Sequence, residues 1–129
     1  MPQPSDADLR SWWFGQLVEA LEALSGSYEE QRSRLDESSA TVPDAGDLGS
    51  DFSDFARFAP ELAEFGYLSN LATTEIASLD AYLQSLSGPA NAKFWFFGSL
   101  AKDPRWDDIR ERARSIIRLI RNAPPEPGS

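Results

Sequence analysis

Ser99 and Lys102 stand three residues apart in "SLAK". On a helix that spacing puts a hydroxyl and an amine on one face, where the amine could take the hydroxyl proton. Glu61 and Glu64 repeat the spacing with two carboxylates, the groups that general acid–base work needs. Beyond these pairs the chain offers little chemistry. It has no histidine and no cysteine. That removes the commonest general base at neutral pH, the thiolate nucleophile, the disulfide, and the imidazole and thiolate metal ligands. Ser-His-Asp and Cys-His catalysis, HExxH zinc sites and the Glu-x-x-His motif of di-iron bundles are excluded with them. "GDLGS" lacks the lysine and the strand–helix context of a phosphate-binding loop. No cofactor and no metal are expected.

The Ser99–Lys102 pair matches the Ser-x-x-Lys of penicillin-binding enzymes, but the Ser-Asp-Asn and Lys-Thr-Gly elements are missing and the chain is too short for that fold. Nothing separates Glu61 and Glu64 from solvated surface charge. The chain is therefore read as non-enzymatic.

Charge is more informative. Net charge is −9, unevenly placed: residues 1–92 hold 4 basic and 16 acidic groups, residues 93–129 hold 8 basic and 5 acidic. Such a body repels nucleic acid and favours a basic protein partner. If Leu17 and Leu24 face inward, Glu22, Glu29 and Asp36 stack seven apart on the outside. Glu19, Glu30 and Glu37 form a second column beside them, and Trp12 projects onto the same outer face. The expected site is this ridge, its carboxylates steering a basic partner and the indole anchoring it. An alternative docking patch lies in "KFWFFGS", 93–99. Four rings at 94–97 span about 300° of a helix and cannot share one groove. Phe94 and Phe97, on a face with Ala101, are predicted core, under a short helix bearing Phe52, Phe55 and Phe58. Trp95 and Phe96 point elsewhere. Arg110, Arg114, Arg118 and Arg121 fall on one face of the last helix, opposite an isoleucine stripe, where solvent or acidic neighbours would meet them.

These residues must be positioned by helices. Four segments show 3-4 spacing and none shows sustained alternation. Ser5 and Asp8 open the first, whose seam Phe14, Leu17, Leu21, Leu24, Tyr28, Gln31, Leu35 crosses Gly26 unbroken. One helix over about 6–38 is predicted, with a break at Gly26 as the alternative. A loop follows at 39–50, then a short helix capped by Ser50. Pro60 opens a second long helix over about 60–87, with Leu62, Phe65, Ser69, Ala72, Ile76, Leu79, Leu83 and Leu86 as its seam, Gly66 inside, and Gly88-Pro89 as its stop. Asn91 caps a helical turn through the aromatic run. Asp103-Pro104 opens the last helix, with Trp106, Ile109, Ala113, Ile116 and Ile120 as its buried stripe. The fold class is all-α: an antiparallel bundle of three to four helices, two of them long, in one domain over 1–122, with a disordered Pro-rich tail at 123–129.

No stretch has the roughly 18 uncharged apolar residues of a membrane span. The cysteine-free composition fits a cytoplasmic protein. Small size, acidity and the lack of catalytic groups resemble bacterial immunity proteins and other inhibitors that neutralise basic toxins. That resemblance is one of composition, and it implies an inhibitor that masks a basic surface of its partner. The alternative is an assembly module, an accessory subunit docking through 94–97.

Overall fold

The computed structural model describes residues 5–38, 46–95 and 99–122, and of residues 34–38, 47 and 122 the backbone alone. Among the described residues seven α-helices follow in order: α1 Asp6–Ser25, α2 Tyr28–Ser38, α3 Gly46–Ala56, α4 Ala59–Glu64, α5 Asn70–Ser85, α6 Ser99–Lys102 and α7 Pro104–Asn122. A 3-10 helix, Pro89–Trp95, joins α5 to the segment before α6. No described residue lies in a strand. The all-α class is as the periodicity predicts, and the two longest helices are α1 and α7.

Both long helices predicted from unbroken seams are divided. The first stops at Gly26, which is extended with φ −65° and ψ 160°. Ser27 then starts α2 with a reciprocal cap: its Oγ accepts from Glu30 N at 3.2 Å, and Glu30 Oε1 accepts from Ser27 N at 3.3 Å. The second predicted helix stops after Glu64, where Gly66 takes a left-handed φ of 86° that costs other residues steric strain. Ser69, counted in that seam, is the N-cap of α5, accepting from Ala72 N at 3.1 Å. The loop at 39–50 and the Ser50 cap also need correction, because α3 already begins at Gly46 and Ser50 lies inside it. Residues 39–45 and the tail 123–129 lie outside the described residues.

Other starts and stops are as read. The box of Ser5 and Asp8 opens α1. Asp103 Oδ1 accepts from Arg105 N at 2.9 Å at the head of α7. Gly88 is left-handed beyond α5.

α1 packs on α3 and α7, and α5 packs on the same two, so four helices close a ring around one core. Contacts from α1 to α7 run in opposite chain order, Glu22 to Arg121 and Ser25 to Arg114, so this pair is antiparallel. Leu17, Leu21 and Leu24 of α1 meet Phe52, Ile76, Trp106 and Ile109 in the buried cluster.

Phe94 is buried, its ring stacked on Trp106 at 5.0 Å between centroids and 7° between planes. Trp95 is half-buried, edge-on to Trp106, and its indole N–H donates to the Leu86 carbonyl at 2.9 Å. The start of α3 covers it: a Cβ built on Gly49 would lie 2.9 Å from the Trp95 ring. Phe55 and Phe58, predicted to share that lid, turn instead to α1. Ala101 is exposed rather than core. Phe96 and Phe97 lie outside the described residues. Phe65, predicted in the second seam, is also exposed, because the chain leaves the helix beside it.

The two glycine breaks differ in cause, and substitution should separate them. Gly26 has an ordinary φ and its break is made by the Ser27 cap. Gly26→Ala should therefore shift stability by no more than about 0.5 kcal/mol. Gly66→Ala must force alanine into the left-handed region and should cost about 1–2 kcal/mol. Urea unfolding of both variants checks this; equal costs would refute it.

Candidate functional site

On α1 the seam fixes what is left outside. Asp8, Trp12, Gly15, Glu19 and Glu22 are spaced four, three, four and three, so they share a stripe away from the core, and all five are exposed. The only basic residue of α1, Arg10, is turned to another side, 3.9 Å from Glu61 and over the Phe65 ring.

Trp12 is 55% exposed. Its ring meets Phe55 of α3 edge-on, 5.7 Å between centroids. Trp13 beside it is half-buried and stacks flat on Phe58 at 4.2 Å. Phe55 and Phe58, one turn apart, thus hold α1 through its adjacent tryptophans while leaving Trp12 open to water.

The break at Gly26 divides the predicted ridge. Glu19 and Glu22 stay on α1; Glu29 and Glu30 are exposed on α2. The side chains of Asp36 and Glu37 lie outside the described residues. Glu30 is committed partly to the α2 cap, and Glu22 Oε1 lies 3.5 Å from Arg121 Nη2. Glu22, Glu30, Arg114, Arg118 and Arg121 line a groove of about 400 Å³. Here the basic stripe of α7 meets the acidic edge of α1. Arg114 Nε also donates to the Ser25 carbonyl at 3.2 Å. Glu111 bridges Arg118 and Arg114, and hydrogen bonds from Arg118 and then Arg114 hold its carboxyl below the usual range.

Arg110 leaves that stripe. It is 7% exposed, and its Nε and Nη2 donate to Gln31 Oε1 at 3.0 and 2.8 Å. Burial pulls its pKa down, and Asp107, 3.1 Å away, opposes that shift. The signal that could have placed it inside was Gln31, a polar residue in an apolar seam whose carbonyl oxygen needs a buried donor.

Ser99 Oγ donates to the Lys93 carbonyl at 2.6 Å, and among the described residues no hydrogen bond joins it to Lys102. Glu61 and Glu64 are exposed. A cleft of about 440 Å³ between α3, α5 and the 3-10 helix is lined by Ser53, Gln84 and Trp95 among others. Its Ser53 donates to Asp80 at 2.6 Å and accepts from Gln84 at 3.1 Å. Among the described residues no cluster of three or more acidic groups is placed to hold a metal ion. No helix among them is long and apolar enough to cross a membrane. No protein-family model matches the chain, and neither does any curated protein or solved structure.

The contrast between the buried Phe94 ring and the exposed Trp12 ring is measurable as stability. Phe94→Ala empties a stacked, buried site and should cost roughly 3–5 kcal/mol. Trp12→Ala removes an exposed ring with one edge contact and should cost about 1 kcal/mol. Denaturant unfolding of the two variants would reverse the site assignment if the costs came out in the opposite order.

Proposed function

We propose that the protein is a non-enzymatic acidic binding domain whose most concrete form is an inhibitor or immunity-type protein that masks a basic surface of a partner protein. The observation that carries this reading is Trp12: a large aromatic ring left 55% exposed in a stripe of carboxylates. Water gives an indole no reason to stay there, and exposed aromatic anchors dominate protein–protein hot spots. Glu19, Glu22, Glu29 and Glu30 extend the negative surface around the α1–α2 junction and would raise the encounter rate with a basic patch. The same field disfavours nucleic acid. The cysteine-free chain suits a reducing, cytoplasmic setting. The assembly reading draws less support, because Trp95 spends its indole N–H and much of its ring inside the fold.

The test is kinetic. The partner captured from the native source is purified, and its association is measured at low and at physiological salt. Replacing Glu19, Glu22 and Glu29 with Lys should slow association by at least about tenfold at low salt, with a smaller effect as salt shortens the Debye length. Trp12→Ala should raise the dissociation rate and leave association nearly unchanged. An inhibitor also blocks the partner's own activity in the complex. Binding rates indifferent to both salt and the triple reversal would remove the acidic face from the interaction.

A further inference from the structure

We propose that Trp12 takes an arginine side chain of the partner, which makes the acidic face selective for arginine over lysine; this rests on the acidic-face reading above. The fold shows what its aromatic rings accept. Arg10 lies 3.4 Å over Phe65, Arg105 4.7 Å over Phe94, Arg112 4.6 Å over Tyr82, and Arg57 5.1 Å over Phe58. Two aromatic rings among the described residues are exposed, Phe65 and Trp12. Phe65 is covered by Arg10. Trp12, of the ring type that binds cations best, carries no guanidinium among the described contacts.

The surroundings complete the site. Helical side chains lean toward the N-terminus, so the residue three positions on would normally shade the ring. At that place stands Gly15, whose absent Cβ would meet nothing within 4 Å. Asp8 is one turn before Trp12 on the same stripe, and Glu19 two turns after it. A planar guanidinium laid on the indole can stack and reach the Asp8 carboxylate together, because residues four apart on a helix are neighbours. A lysine ammonium is more strongly hydrated and has no plane to stack.

Acetylated, amidated nona-arginine and nona-lysine peptides are titrated into the full chain at low salt, with calorimetry for affinity and the Trp12 indole N–H resonance for location. Two variants accompany the wild type: Trp12→Leu, which removes the ring, and Gly15→Leu, which keeps the ring but shades it. Unfolding curves establish that both variants are folded. The arginine peptide should bind more tightly and move the Trp12 resonance. Each variant should weaken it about two- to fivefold, as loss of an exposed cation–π contact does, and leave lysine binding nearly unchanged. Equal losses for both peptides, or no loss for either, would overturn arginine selectivity and leave the acidic face standing. Failure of both peptides to bind the wild type would overturn the acidic face and this inference together.

Discussion

A single neutral amide joins the parts of this fold. Gln31 is 1% exposed and spends both ends of its side chain. Its Nε2 donates to the carbonyls of Ala23 and Leu24 at 3.2 and 3.0 Å, groups that the end of α1 leaves without helical partners. Its Oε1 accepts both N–H groups that Arg110 turns inward. The guanidinium also reaches the Leu100 carbonyl in α6. One polar junction thus ties the end of α1, the start of α2, α6 and α7. A buried cation without such partners would be costly, and here it lies near the negative end of the α1 dipole.

The junction also settles where charge appears outside. Arg110 is withdrawn from the basic stripe, and Arg114, Arg118 and Arg121 then close over the α1–α2 junction. Arg121 reaches Glu22 of α1, while Arg114 and Arg118 share Glu111 of their own helix. On α1 the outward stripe runs from Asp8 to Glu22, with the exposed Trp12 in its middle. Phe65 and Trp12 show the difference: two exposed rings of similar accessibility, one covered by Arg10 and the other, among the described residues, by no arginine.

Much of the fold is legible in the residue spacing. The seams identify Leu17, Leu21, Leu24, Ile76, Leu79 and Leu83 as core, and Gln31 occupies its seam position although it is polar. Helix ends are less legible, because a two-residue interruption at Gly26-Ser27 preserves the register of the apolar pattern. The Ser27–Glu30 pair is a capping signature written in the sequence, and it outweighs the continuity of the seam. At Gly66 the break is made by a left-handed turn and the restart by the Ser69 cap, yet a helical pattern tolerates both a glycine and a serine on paper. The exposure of Trp12, Glu19, Glu22, Glu29 and Glu30 follows from helix geometry. The burial of Arg110 does not, since face-counting on one helix is blind to a hydrogen-bond acceptor supplied by another.

Gln31 and Arg110 therefore act as one unit. A double-mutant cycle with Gln31→Leu and Arg110→Met, read by urea unfolding, measures it most directly. Each single change leaves the facing polar atoms of the other group buried without that partner, so each should cost about 3 kcal/mol. The double variant should cost much less than their sum, giving a coupling of roughly 2 kcal/mol or more. Additive losses, with a coupling near zero, would contradict the account.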